Sequence, residues 1–181
     1  MPRITADRAG GVNVCAMLDT LAFSEIGPEM LADSDDGYDV LVGSLPGDVN
    51  RFTDYHQHPL PPSHAIEYRP GIWSTAAGRY QILSRYWPHY RDQLGLQDFG
   101  PISQDLYAIQ QLREQRALPL IQAGRFIDAV AAIRNIWASL PGAGYGQHEH
   151  EIDALARAYE VAGGRFSGKS RDWYNEVEKR L

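Results

Sequence analysis

The sequence predicts an α+β chain in two lobes, one mostly helical and one a small lobe of β-hairpins. Apolar residues recur at helical spacing over 12–26 and again repeatedly after residue 75. Between them, over 33–74, turn formers interrupt short apolar runs every few residues, the pattern of small strands and hairpins. A helix, a small irregular β region and a larger helical part make a two-lobed arrangement, and clefts commonly form between lobes.

The first helix is read over 12–26, where Val14, Met17, Leu18, Leu21 and Ala22 share a face and Gly27 with Pro28 supplies the stop. Its last turn carries Ser24 and Glu25. In the β region, Asp36, Gly37, Gly43, Pro46 and Gly47 punctuate Tyr38, Val40 and Val42. Pro59, Pro61, Pro62 and Pro70 are too many for a helix interior, so 58–71 is expected to be an extended, mobile loop. Helices are then expected near 80–93, 103–118, 126–139 and 147–162, with Ser103 as an N-cap and Gly163-Gly164 as a C-terminal stop. A last helix over 170–181 would place Trp173, Val177 and Leu181 on one face. No internal repeat is evident.

At 181 residues the chain is expected to form a single domain, 1–181, with a core of roughly 12–164 and a helical tail at 165–181. It contains one cysteine, so no intrachain disulfide can form, and Cys15 reads as a small buried hydrophobe. A formal charge of −6 argues against non-specific nucleic-acid binding, which uses a basic stripe to neutralise phosphates. No apolar run reaches membrane-spanning length, and no secretory signal is read at the N-terminus.

Among the carboxylates, Glu25 has the most apolar surroundings, with Leu21, Ala22, Phe23 and Ile26 around it. It also lies at a helix C-terminus, where the negative end of the helix dipole disfavours its charge. A carboxyl acting as a general acid near neutral pH needs that kind of environment. On local context alone, however, a solvated helix-end glutamate is the ordinary reading.

Longer runs change the weighing. Leu21-Ala22-Phe23-Ser24-Glu25, Gly37-Tyr38-Asp39-Val40-Leu41-Val42-Gly43 and Phe52-Thr53-Asp54-Tyr55 are followed by Ser74-Thr75-Ala76-Ala77-Gly78-Arg79-Tyr80-Gln81-Ile82-Leu83-Ser84-Arg85. A further run extends from Asn135-Ile136-Trp137-Ala138-Ser139 through Leu140-Pro141-Gly142-Ala143-Gly144-Tyr145-Gly146-Gln147. In order and spacing these runs resemble the lambdoid phage endolysin family, and they span nearly the whole chain, roughly 14–164.

The resemblance implies a lysozyme-like fold with the active cleft between the lobes, and a lytic transglycosylase activity. Glu25 would protonate the bridging oxygen of the β-1,4 bond between N-acetylmuramic acid and N-acetylglucosamine in peptidoglycan. Its carboxylate would then take the proton of the muramic C6 hydroxyl as that oxygen closes on C1, leaving a 1,6-anhydro end and consuming no water. Hydrolytic cleavage of the same bond with an aspartate helper is the alternative, Asp39 and Asp54 being the aspartates that fall within family runs. A non-catalytic glycan-binding protein of the same fold is a more distant one. The resemblance also implies a monomer whose partners are peptidoglycan glycan strands, with no cofactor, no metal, no nucleic acid and no stable membrane insertion. Such a protein would accumulate in the host cytoplasm and depend on a holin-type membrane protein to reach the periplasm and the wall.

Ser24, Thr75, Tyr80, Gln81, Tyr145 and Gln147 are the expected substrate contacts. The Thr-x-x-Gly-x-Tyr-Gln run is read as opening a helix, with Gly78 allowing close backbone approach to a sugar. Hydroxyl and amide groups suit sugar hydroxyls and acetamido groups. Two structural roles stay open beside these: Thr75 as a helix cap and Tyr80 as a core residue. The glycine-rich run 141–147 lacks the Gly-Lys-Ser/Thr ending of a phosphate loop, and in the family it borders the glycan cleft. Neither His56, His58 and His64 nor His148 and His150 with Glu149 and Glu151 match a tight zinc pattern. Of the four tryptophans, Trp73 beside the proline-rich loop is the one to test for sugar contact. Residues 44–51 look longer than usual for the family, the loop after them diverges, and the tail beyond Gly164 has no placed counterpart.

Overall fold

The computed structural model describes residues 1–144 and 150–179. Its elements run α1 (Ala6–Ala9), α2 (Val12–Glu25), α3 (Pro28–Ala32), β1 (Ile66–Arg69), β2 (Ile72–Ser74), β3 (Ala76–Ala77) and β4 (Ile82–Leu83). Then follow α4 (Trp87–Leu94), α5 (Pro101–Glu114), α6 (Leu118–Gln122), α7 (Phe126–Ile133), α8 (Ile152–Val161) and α9 (Gly168–Glu178). Two compact units divide the chain: Met1–Ser24 with Ala108–Leu181, and Glu25–Tyr107. Both hairpins, β1–β2 and β3–β4, are antiparallel and belong to the second unit, so the α+β class expected from the sequence is the one found.

In the first unit, α2 is buried almost all round: Val14, Ala16, Leu18, Leu21 and Ala22 are at most 1% exposed. A helix enclosed on every side can tolerate polar groups only if they are satisfied. Thr20 accordingly donates its hydroxyl to Ala16 O at 2.8 Å. Asn13, near the other end, donates to Ile121 O at 3.1 Å and accepts from Arg165 N at 2.9 Å, tying α2 to α6 and to the start of the tail. Cys15 is buried, as expected.

The tail is part of the core. Phe166, 6% exposed, meets Phe126 and Tyr159 with ring centroids 5.5 and 5.2 Å away, and stacks on Tyr174 of α9 at 4.5 Å. The buried face of α9 is Ser170, Tyr174 and Val177 rather than the expected face through Trp173, because the contact to Phe166 fixes the helix's rotation. Gly163, at φ 89, ends α8 as expected.

Several boundaries differ from the sequence reading. Gly27 and Pro28 do stop α2, yet Pro28 also opens α3, since the first helical turn has no use for its missing N–H. The proline-rich stretch contains a hairpin: Pro70 and Gly71, with Gly71 at φ 75, form the turn between β1 and β2. The run over 38–42 forms only isolated bridges, Val40 to Arg51 and Leu41 to Ala77.

The helix expected from Tyr80 begins at Trp87 instead. Gly78 at φ 76 and Gln81 at φ 47 are left-handed, which a right-handed helix cannot absorb, and the segment folds back as β3–β4. Ser103 is likewise inside α5 and not its cap, because Pro101 begins that helix two residues earlier. Pro119 sits near the start of α6, separate from α5.

His58 shows how the proline-rich segment is anchored. Its Nδ1 accepts from Leu60 N at 3.2 Å and its Nε2 faces Ile82 O at 2.8 Å, which fixes the neutral tautomer with the proton on Nε2. Its ring lies 4.6 Å from that of Phe99. Burial holds the imidazole below its ordinary pKa despite the bonds to Ile82 and Leu60.

Two outcomes are expected. Phe166→Ala should cost about 3–5 kcal/mol in urea unfolding, the loss typical of a buried ring; a change within about 0.5 kcal/mol would make the tail a loose appendage. For His58, the contribution is complete above the unfolded-state value of about 6.5 and is lost as pH falls from there through the lower folded value. The melting temperature should therefore drop from about pH 7.5 to about pH 5, and drop less in His58→Gln.

Candidate active site

Glu25 is the last residue of α2 and the first residue of the second unit. It is half-buried, and its flanking residues Ser24 and Ile26 are 6% and 3% exposed. Ser24 shares a hydrogen bond with Ser139 at 2.6 Å between the two hydroxyl oxygens, and Phe23 lies 5.4 Å from the His150 ring. The helix end that carries Glu25 is thus tied down on the side of the preceding residues.

On the other side, Ile26 reaches Gly37. A Cβ at Gly37 would lie 3.4 Å from Ile26 Cγ1, 3.5 Å from Arg79 Cα and only 2.8 Å from Leu31 Cδ2, and Gly37 has φ 85. Only glycine allows these three segments to converge. The residue after Glu25 therefore packs at Gly37, which also abuts the main chain of Arg79.

That turn is held by buried polar groups. Arg79, 1% exposed, pairs with Asp36 at 2.8 Å, donates also to Asp36 O, and lies 5.2 Å over the Tyr38 ring. Arg79 N donates to Gln104 Oε1 at 2.9 Å, while Gln104 Nε2 donates to Tyr38 O and Phe99 O at 3.0 and 2.9 Å. The hydroxyls of Tyr38 and Tyr80 both donate to Asp105 Oδ1, at 2.7 and 2.6 Å. Burial, and then the charge of Asp105, push the Tyr80 hydroxyl well above its ordinary pKa, so it stays a donor.

The expected contacts accordingly separate. Thr75 is half-buried and its Oγ1 accepts from Ser84 N at 3.2 Å, so it braces a hairpin and caps no helix. Gln81 is half-buried; its Nε2 donates to Gly78 O at 3.0 Å and offsets the strain of its left-handed backbone. Tyr80 is a core residue, 2% exposed. Gly78 makes room for Gln104 rather than for a sugar, because a Cβ there would overlap the Gln104 amide. Tyr145 and Gln147 lie outside the described residues.

Gln104 and Asp105 escape a reading of the sequence by motif. The available signal is periodicity: on α5 they share the buried stripe of Ala108 and Leu112, where a polar side chain is the informative exception. Among the described residues no group of three or more His, Cys, Asp or Glu is placed to hold a metal ion.

Residues 15–166 match the family model described as Endolysin. The chain belongs to the endolysin family. It is 50% identical to the endolysin of Escherichia phage P2 over 154 residues, covering 84% of this chain and 93% of that protein. The endolysin of Escherichia phage lambda is 50% identical over 151 residues, with 82% and 90% covered. Among solved structures, bacteriophage lambda lysozyme complexed with a chitohexasaccharide aligns with a TM-score of 0.76 at 46% identity, covering 92% of this chain and all of that one. Another structure of the phage lambda lysozyme gives 0.73 at 43% identity over the same shares. The fold is therefore lysozyme-like, and the family match omits α1 and α9.

The burial of Tyr80 can be tested against its expected sugar contact. Tyr80→Phe should lose about 1–3 kcal/mol of stability, because Asp105 is left with one donor fewer, while KM for glycan stays unchanged. A raised KM with unaltered stability would restore Tyr80 as a substrate contact.

Proposed function

We propose that the protein is a phage endolysin of lysozyme type that acts on peptidoglycan, cleaving the β-1,4 bond between N-acetylmuramic acid and N-acetylglucosamine as a lytic transglycosylase with Glu25 as acid and base. The family membership and the likeness to a lysozyme solved with a chitohexasaccharide support the substrate class. One observation carries our choice of reaction: four of the aspartates that could serve as a second carboxylate, Asp35, Asp36, Asp39 and Asp54, already hold other partners.

Asp35 Oδ2 accepts from Tyr55 OH at 3.1 Å, Asp36 pairs with Arg79, Asp39 Oδ1 accepts from Asp35 N at 2.9 Å, and Asp54 Oδ1 accepts from His56 N at 2.8 Å. Glycoside hydrolases of either stereochemistry ordinarily need a second carboxylate, as water activator or nucleophile. An internal C6 hydroxyl removes that requirement.

Glu25 suits both halves of the step. Half-buried at the C-terminal end of α2, Glu25 in its protonated form donates to the leaving oxygen as the C1–O bond breaks. The resulting carboxylate then accepts the C6 hydroxyl proton as the C6 oxygen bonds to C1, which returns Glu25 to its starting state. Thr75 and Gln81 are the sugar contacts we retain, with Tyr145 and Gln147 beside them on the family resemblance. Ser24 and Tyr80 act as supports. In this reading the protein works as a monomer, without cofactor, and reaches the wall from the host cytoplasm through a lesion made by a holin-type membrane protein.

Glu25→Gln should reduce lysis of outer-membrane-permeabilised Gram-negative cells by about 10²–10⁴-fold, with its melting temperature little changed. Mass spectrometry of peptidoglycan digested by the unaltered protein should show muramic ends one water lighter than reducing ends. Reducing ends throughout would make the enzyme a hydrolase. Equal lysis by both proteins would remove Glu25 from the mechanism.

A further inference from the structure

We propose that the outward face of the β1–β2 hairpin is a glycan subsite in which the indole of Trp73 stacks on a sugar ring of the peptidoglycan strand. The proposal rests on the substrate read above and adds a place where that substrate is held.

Trp73 is 61% exposed and its neighbour Ile72 is 47% exposed, whereas Trp87 and Trp137 are each 4% exposed. Trp73 and Ile72 are neighbouring exposed apolar side chains on one hairpin, and an indole offers a wide flat face with a polar N–H edge. The hairpin is built to present it. On the inward face, Ile66 and Tyr68 are half-buried and rest on Gly43, where a Cβ would come within 3.3 Å of Tyr68 Cβ. On the outward face, Glu67 stands directly across the ladder from Trp73, so both side chains point the same way, and both are exposed.

The mount is stiff. Pro70 fixes its own φ, Gly71 supplies the left-handed turn, and Gly71 N donates to Glu67 Oε1 at 2.7 Å. A platform ordered before binding loses little entropy when a ligand arrives. The strand ends at Ser74, whose Oγ accepts from Ala76 N at 3.1 Å, and the next residue is Thr75, one of the proposed sugar contacts. Thr75 is two positions along the chain from Trp73, about 7 Å in extended backbone, a separation that one oligosaccharide can bridge.

An acetamido sugar offers an apolar C–H face to the indole and hydroxyls to the second oxygen of Glu67.

The test uses the full chain, chitohexaose as the soluble probe and purified peptidoglycan as substrate. Trp73→Ala should bind chitohexaose about 3- to 10-fold more weakly and raise KM on peptidoglycan by a similar factor with kcat nearly unchanged. Trp73→Phe should recover most of the loss, and neither variant should shift the melting temperature appreciably. Chitohexaose should protect the tryptophan fluorescence of the unaltered protein from acrylamide, and this protection should disappear in Trp73→Phe. Unchanged affinity and KM in Trp73→Ala would overturn the subsite, and the end group of the product would still decide the reaction independently. Reducing ends throughout, with the Trp73→Ala defect intact, would overturn the reaction and keep the subsite. Binding lost to anionic lipid vesicles but retained for chitohexaose would overturn the proposal by making the face a lipid contact.

Discussion

Arg79 is 1% exposed, and a guanidinium cannot escape burial by giving up its proton. Its surroundings must therefore supply acceptors and counter-charge, and they come from three separate stretches of the second unit. Asp36 provides the carboxylate, Tyr38 the ring face, and Gln104 the acceptor for the Arg79 main chain. Removing one partner of a buried pair typically costs about 3–5 kcal/mol, here moderated because Asp36 is 30% exposed. The turn after α3, the β3–β4 hairpin and the start of α5 are thereby fixed as one arrangement. Asp105 reinforces it by accepting from two tyrosines that flank the same arginine.

This arrangement also meets the chain just after the candidate acid. Ile26, the residue after Glu25, packs at Gly37, next to Asp36 in sequence and against the Arg79 main chain. The place of Ile26 is therefore set beside the same buried polar groups. Thr75, at the open end of the β3–β4 hairpin, and Gln81, in its turn, belong to the same hairpin. A candidate acid has to be placed to a fraction of an ångström, and a buried hydrogen-bonded network gives more directional definition than apolar packing alone.

Much of this is legible in the residues, for identifiable reasons. The helical period of 12–26 and the glycine and proline after it place Glu25 at a helix end, and the structure ends α2 at that residue. Such a signal is local, since spacing and breaker residues act within a few positions. The run from Thr75 to Gln81 reads wrongly as a helix start because its left-handed turn leaves no mark on hydrophobic period: Gln81 is held at φ 47 by its own amide bond to Gly78 O. Tyr80 reads as a sugar contact for a related reason. A tyrosine in a sequence shows a hydroxyl but not the buried carboxylate, 25 residues away, that takes its hydrogen bond.

The sequence by itself determined the class of elements, the helix-end place of Glu25 and, through its long runs, the family, because each depends on residue identity over short spans or on matched order along the chain. Only the tertiary structure decided that Arg79, Gln104 and Asp105 form a buried support, that the tail belongs to the core and that Trp73 stands in solvent. Burial depends on which distant segments meet. A one-dimensional pattern shows that a side chain is capable of being polar, apolar or aromatic, whereas the fold decides whether it faces a partner or water.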